Sequence, residues 1–333
     1  MEKSLRRADE VAPVVSVCSI CYNQAAYVEE TIRGVLEQEL DRTYELIIGD
    51  DGSTDGTSEV CEQWAERYPT IIRLLPRCEN LGAMRNFFRV LNEARGTYVA
   101  FCEGDDYWCD RKKLQKQVNF LEAHPECGLV YTDVDFRHEP EGRIEPKVIG
   151  SGRIRRSGSF AEHLANAGYI APCTWLFLRE HLPTAPYPYV DATFALALDI
   201  WAVSEVGFLP EVTAVYRVLG ESASHTRDLQ KRYRVQRGIF KIQCDYQAKY
   251  PHRIPASTKA TLLKRAYRSL WRMAIVLGDS AMMEEICHYY LKRNPLQWLL
   301  LRLFPAPMRW LQRRKFLRRG FRVEQASQSQ QTP

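Results

Sequence analysis

The chain has 333 residues, 45% of them hydrophobic and 26% charged; that length can bury a sizeable core, and the balance excludes a disordered, collagenous or disulfide-stapled protein. The formal net charge of +5 is unevenly placed: ten of the 46 Lys and Arg residues lie between Ile286 and Val323, where there is no Asp or Glu, so elsewhere 36 bases face 41 acids. Nucleic-acid binding by the whole protein is therefore not expected, and a local contact of the basic C-terminal end with a membrane surface stays open.

The first half alternates strand and helix patterns. Val14–Ile20 is a β-branched apolar run, and Tyr27–Gln38 places Val28, Ile32, Val35 and Leu36 on one helical face. Tyr44–Ile48 reads as a strand, Thr57–Tyr68 as a helix and Ile71–Leu75 as a strand. Ala83–Ala94 is a helix with Met84, Phe87, Phe88 and Leu91 on one face, which Gly96 can cap. Thr97–Phe101 is the next strand, then a helix over Lys112–Ala123 and a strand over Leu129–Thr132. Strands separated by 10–15-residue helices imply βαβ units and a largely parallel sheet. After Phe136 the pattern changes. Glu139–Ser159, rich in Gly, Arg, Pro and Glu, reads as a mobile loop. Cys173–Leu178 and Val212–Val218 read as strands around a helix over Ala192–Glu205. Beyond about Arg227 the signal is helical, over Gln230–Lys249, Thr258–Leu277 and Ala281–Lys292, and Gln325–Pro333 is a polar tail expected to be disordered.

No run reaches the 18 or so apolar residues that a spanning helix needs. The opening MEKSLRRADEVAP has no apolar segment behind its charges, so no secretory signal is read there. Ten cysteines without a framework of spacings suit a reducing cytosol, and a cytoplasmic protein is expected.

Ligands of open α/β sheets bind outside the carboxyl ends of the strands. Two strands here end in acids, one in Gly49-Asp-Asp-Gly-Ser-Thr-Asp-Gly-Thr57, the other in Glu103-Gly-Asp-Asp-Tyr-Trp108. The first is also ordinary turn and helix-capping chemistry. Three carboxylates in four residues exceed what a turn requires. Like charges near 4 Å would repel by about 4 kcal/mol each at an effective dielectric of 20. Such a cluster calls for a cation, raised pKa values or splayed side chains, and a hard divalent ion with oxygen ligands suits it best. Both segments together point to a metal–diphosphate site.

At these residues the chain resembles the family 2 glycosyltransferases. The segments that carry the resemblance are Val15-Ser-Val-Cys-Ser-Ile-Cys-Tyr-Asn-Gln24, Asp50–Thr57, Asn80-Leu-Gly82 with Asn86, Gly96–Trp108, Leu209-Pro-Glu-Val-Thr-Ala-Val-Tyr-Arg217 and Ser222-Ala-Ser-His225. They cover roughly residues 12–226. The resemblance implies an α/β GT-A fold, a Rossmann-like, mostly parallel sheet flanked by helices, over 12–226. A helical C-terminal region over 227–322 would follow, and a tail over 323–333. It implies transfer of a sugar from a nucleotide-diphosphate donor, UDP- or dTDP-linked, to a hydroxyl of a saccharide or lipid-linked acceptor, with inversion. It also implies a divalent cation, Mn2+ or Mg2+.

By the same resemblance Tyr22 and Asp51 would hold the base and ribose, and Asn23, Asp50, Asn80, Arg85 and Glu103 complete the nucleotide-sugar candidates, Glu103 by hydrogen-bonding a ribose or a metal-bound water. Glu103-Gly104-Asp105 matches the family's DXD motif, with Glu at its first position. Asp105 is the main candidate metal ligand, Asp106 the second, and His225 matches a late position that approaches metal or diphosphate. The family's catalytic base is an Asp shortly before the Leu-Pro-Glu-Val segment. Asp191 and Asp199 are the two candidates here. A catalytically silent nucleotide-sugar or carbohydrate-binding module is the competing reading.

Cys18-Ser-Ile-Cys21 lies inside a strand pattern, where a redox pair would not place its first thiol. No G-x-G-x-x-G or G-x-x-x-x-G-K-[ST] occurs, so dehydrogenase and P-loop readings lose their anchor. Met308–Gly320 interleaves Trp310, Leu311, Phe316 and Leu317 with six bases, a pattern that suits a helix lying on an anionic membrane. It would place the protein peripherally on the inner face of the cytoplasmic membrane, and the family resemblance implies a role there in surface polysaccharide synthesis.

Overall fold

The computed structural model describes residues 12–220, 226–303 and 305–323; His225 and the tail from 324 lie outside them. Two compact units emerge. The first draws on Met1–Ser157, Gly168–Pro188 and Ala192–Val218, the second on Gly158–Ala167, Tyr189–Asp191 and Leu219–Pro333.

In chain order the elements are β1 (Val15–Cys21), α1 (Val28–Leu36), β2 (Tyr44–Asp50), α2 (Thr57–Arg67), β3 (Ile72–Leu74), α3 (Ala83–Leu91), β4 (Tyr98–Phe101), β5 (Tyr107–Trp108) and α4 (Lys113–Ala123). There follow β6 (Cys127–His138), β7 (Arg143–Glu145), α5 (Phe160–Asn166), β8 (Leu176–Leu178), α6 (Ala192–Val203) and β9 (Glu205–Val218). Five helices close the described chain: α7 (Leu229–Lys249), α8 (Ala256–Leu277), α9 (Ser280–Leu291), α10 (Pro295–Leu303) and α11 (Pro305–Arg318).

The first unit holds one sheet with the order β3-β2-β1-β4-β8-β6-β9-β5, and β7 pairs with β6. Strands β3, β2, β1 and β4 run parallel, as does the β6–β9 pair; β8 runs antiparallel to both of its neighbours. The apolar runs explain the parallel half. Val15, Val17, Leu46, Ile47 and Ile48 are fully buried, because helices cover both faces of such a sheet. On α1, Val28, Ile32 and Val35 are buried at helical spacing, and each such side chain contributes about 1.5–3 kcal/mol. Helix α6 is apolar on all sides and correspondingly buried.

The order places a switch point at β1. The chain runs outward through β2 to β3, then returns to lay β4 on the other flank of β1. The tips of β2 and β4 are thus two strand positions apart, about 10 Å, with the tip of β1 between them.

Four local expectations are corrected. Gly96 does not cap α3, which ends at Leu91; a Cβ there would meet the Ser16 nitrogen at 2.6 Å, so glycine permits the close approach of β1. The strand expected over Leu129–Thr132 is the 12-residue β6. The stretch 139–159 is not one loop. It contains β7, and buried Asp133 accepts hydrogen bonds from the Ile149 and Gly150 amides at 3.0 and 2.9 Å. Within Cys173–Leu178, only Leu176–Leu178 is strand, after a 3-10 turn over Pro172–Thr174. Cys18 and Cys21 are buried free thiols on β1.

The second unit is helical. Helix α8 packs on α7, α9, α5 and α11, and α9 packs on α10. Polar bonds fix these contacts: the Tyr233 hydroxyl donates to Asp279 at 2.9 Å, and the Gln243 amide donates to the Leu164 carbonyl at 2.6 Å.

Candidate functional site

A cavity of about 280 Å³ opens at the switch point, lined from the tips of β1, β2 and β4 and the start of α3. Among its walls are Tyr22, Gln24, Asp51, Asn80, Asn86, Glu103 and Asp105. The two acidic segments therefore share one cleft.

Each wall is held by local chemistry. Asp51, 3% exposed, accepts the amides of Leu81 and Gly82 at 2.8 and 2.9 Å, which fixes its carboxylate and the loop before α3 together. Asn80 stands on that loop and accepts from Gly82 at 3.1 Å. Asn86 donates to the Gly49 carbonyl at 2.7 Å, joining α3 to the tip of β2. Asn23 has a positive φ of 52°, and its side-chain oxygen accepts from the Thr54 amide at 2.8 Å. It joins the tips of β1 and β2 without lining the cavity. Asp50 also turns away from it: its carboxylate accepts from the Ser53 and Ser58 hydroxyls and closes the turn before α2. Tyr22 is half exposed at the rim, and Arg85 is exposed on the first turn of α3.

The acidic loop after β4 hangs on backbone bonds to β1, with the Gly104 amide donating to Ile20 at 2.9 Å. A Cβ at Gly104 would stand 2.5 Å from Gln24 Oε1 and 2.7 Å from Cys21 Cβ, so only glycine lets the loop lie this close. Thr31 on α1 donates to the Asp106 carbonyl at 2.6 Å. Asp106, 1% exposed, is turned inward and accepts the Arg217 amide at 2.8 Å. Of the three acids, Glu103 and Asp105 face the cavity.

Arg217 is the residue whose part the sequence did not reveal. The antiparallel register of β5 on β9, Tyr107 opposite Val215, continues so as to set Arg217 against Asp105. Its guanidinium is 3% exposed and sandwiched between the Tyr27 and Tyr107 rings, 4.9 and 4.6 Å from their centroids. It donates to the Asp105 carbonyl at 2.7 Å, pairs with Glu30, and lies 3.6 Å from Glu139. Pairing with two carboxylates and stacking on two rings is what a planar guanidinium does and an ammonium cannot.

Burial, and then the neighbouring Asp105 charge, push the Glu103 carboxyl up to about 8. Asp105 is raised by burial, and Asp106 is raised further, by burial and then by the charges of Asp105 and Glu103. Among the described residues Glu103 Oε2 and Gln24 Oε1 are shut off from solvent without a hydrogen-bond partner. An oxygen-only set with two orphaned acceptors beside a carboxylate fits a hard divalent cation. Among the described residues no group of three or more His, Cys, Asp or Glu is placed to hold a metal ion. An ion here would be held by one or two carboxylates, with its other positions left to phosphate oxygens.

The raised Glu103 carboxyl carries a pH signature in the metal-free protein. Below its ordinary value of 4.5 the group is protonated whether the chain is folded or unfolded. Between 4.5 and about 8 only the unfolded chain releases the proton, so stability falls with rising pH. In EDTA, the stability of the wild type relative to Glu103→Gln is expected to decline from pH 5 to pH 8. Denaturant melts that keep a constant difference would show that Glu103 titrates normally.

Asp199, in α6, accepts from the Tyr187 hydroxyl at 2.8 Å, and Asp191 belongs to the second unit. Neither lines the cavity.

Residues 16–183 match the family model described as Glycosyl transferase family 2. An uncharacterized protein of Mycobacterium tuberculosis is 44% identical over 219 residues, 66% of this chain and 62% of that relative, so the match spans under two thirds of its length. The Bacillus subtilis protein TuaG, named as a teichuronic acid biosynthesis glycosyltransferase, is 40% identical over 219 residues, 65% of this chain and 83% of that relative. Among solved structures, the mannosyltransferase PcManGT of Pyrobaculum calidifontis, in complex with GDP-Man and Mn2+, aligns with a TM-score of 0.56 at 19% identity. The alignment covers 93% of this chain and 85% of that one. The α/β GT-A architecture expected from the sequence is the one observed, with the helical C-terminal region present.

Proposed function

The chain belongs to glycosyltransferase family 2, and from that premise we propose that it is an inverting, metal-dependent transferase. It would move a sugar from a nucleotide-diphosphate donor, of the UDP or dTDP class, to a hydroxyl of a saccharide or lipid-linked acceptor. Polysaccharide synthesis is the proposed setting, supported by the name of the TuaG relative, and the basic C-terminal end suggests the inner face of the cytoplasmic membrane as its place. The observation that carries the reading is that Asp51, Glu103 and Asp105 open on one cavity, where strand order turns back at β1.

In this reading Tyr22 lies against the base, and Asp51 and Asn80 take the ribose side. Asn23 and Asp50 brace the turn beneath them, through the Thr54 amide and the Ser53 and Ser58 hydroxyls. Asp105 and Glu103 would hold the divalent cation, with Asp106 behind them as the buried end of the loop. Bound there, the cation would supply positive charge where the departing nucleoside diphosphate gains negative charge. Glu103 must give up its proton for this. Arg85, on the first turn of α3, offers a second positive group to the diphosphate, and the late segment around His225 is a further candidate. A carboxylate, Asp199 or Asp191, takes the proton of the acceptor hydroxyl as that oxygen forms the new glycosidic bond. The electron pair of the old bond leaves with the diphosphate.

A panel of nucleotide sugars, with and without manganese, tests this through the melting temperature. The correct donor at 100 times its Kd should stabilise by about 2.7 kcal/mol, with manganese required for the full shift. Slow manganese-dependent donor hydrolysis should accompany it. A stabilised protein that never hydrolyses donor would be a binding module, and no shift with any nucleotide sugar would refute the assignment.

A further inference from the structure

The basic C-terminal end forms helix α11, as its sequence suggests, but not one with a separate apolar face. Helix α11 does not sort bases and apolar residues onto opposite faces: Trp310, Leu311 and Leu317 are exposed alongside Arg314, Lys315 and Arg318. A cavity of about 800 Å³ instead lies among α8, α9, α10 and α11. Ile275, Met283, Leu301 and Trp310 give it an apolar wall, and Arg302, Arg309 and Arg313 stand on the same wall.

The charges there are not internally balanced. Of the lining acids, Asp279 is already engaged by the Tyr233 hydroxyl and by Arg237, at 2.9 and 2.8 Å. Glu284 is the other acid among the lining residues. Arg309 is tied through Nε to the Ile275 carbonyl at 2.8 Å, which holds its guanidinium in place. Arg313 Nε is shut off from solvent and finds no partner among the described residues. Trp310, on its wall, is 56% exposed, and Leu303, next to the lining Arg302, is 59% exposed, an apolar surface beside three cations. The volume is that of a small-molecule site, about 300–1,000 Å³.

We propose that this cavity binds a membrane lipid with an anionic phosphate headgroup, its hydrocarbon chain against Ile275, Met283 and Leu301 and its phosphate at Arg302 and Arg313. The proposal deepens the membrane-face reading above. It replaces diffuse attraction of a basic helix by a defined lipid site, because an apolar wall ringed by guanidiniums complements a molecule with one apolar and one anionic end.

Co-sedimentation of the full chain with phosphatidylglycerol and phosphatidylcholine vesicles tests it. The wild type should bind the anionic vesicles. Arg302→Gln with Arg313→Gln, and separately Met283→Trp, should each weaken binding about tenfold or more. Arg318→Gln with Arg319→Gln, which removes the same charge outside the cavity, should weaken it less than threefold. Ala306→Trp obstructs the cavity from an exposed position and replaces Met283→Trp if that variant does not fold. Inorganic phosphate at fixed ionic strength should leave binding intact. Equal losses in the two double variants, or full binding by the filled cavity, would overturn the lipid site while leaving a basic membrane contact. No binding to either vesicle would overturn both, and displacement by phosphate would mark a site for a free anion.

Discussion

Replacing Asp105 by Asn is expected to lower kcat/KM for sugar transfer by about 10²–10³-fold, since the stabilisation a bound metal gives to developing charge is worth several kcal/mol. The protein should remain folded. Asp105 contributes to the architecture through its backbone carbonyl, which receives Arg217 at 2.7 Å and is unchanged in the variant. The substitution also removes a charge that burial opposes and that raises both Glu103 and Asp106. The metal-free melting temperature should therefore stay level or rise, while the manganese-dependent part of the donor shift disappears. Activity lost together with stability would point to a structural role, and a retained manganese shift would remove Asp105 from metal binding.

The half of the fold that builds the site was legible because its signals are local. Buried parallel strands read as runs dominated by apolar residues, as in Val15–Cys21 and Tyr44–Asp50, and α1 and α3 repeat their apolar residues at helical spacing. The acids at the two strand tips were visible for the same reason: Asp51 and Asp105 each end a strand that can be recognised without its partner. What was not legible depends on pairing across long separations. Strand β5 is two residues long, and Tyr107-Trp108 has no pattern of its own; it exists because β9 lies beside it. Asp133 falls just after the strand read over Leu129–Thr132, and its capture of the Ile149 and Gly150 amides can be seen only once the chain is folded back. Nor does sequence tell which of adjacent acids faces the cleft. Asp50 and Asp51 look equivalent, yet one closes a turn with Ser53 and Ser58 while the other faces the cavity.

Arg217 shows the consequence of such hidden pairing, and its replacement should have the second large effect. Losing one member of a buried ion pair costs about 3–5 kcal/mol. For a unit of this size that corresponds to roughly 10 °C in melting temperature, so Arg217→Met should melt about that much earlier. The loss is that large because nothing else fills its place: it spans from the Glu30 and Glu139 carboxylates to the Asp105 carbonyl, between two tyrosine rings. Glu30 is half exposed, so Glu30→Gln should cost less than about 1 kcal/mol. Arg217→Lys separates stability from positioning. The lysine keeps the charge but cannot bond Asp105 and the acids together, so the loop that carries Asp105 loses its register. Misplacement by about 1 Å can cost 10²-fold in rate. The lysine variant should fold, lose about that much kcat/KM, and need more manganese for half-maximal activity. A variant with lower stability but the wild-type manganese requirement would make Arg217 a support of the sheet alone, because only a shifted metal requirement ties it to the carboxylate it holds.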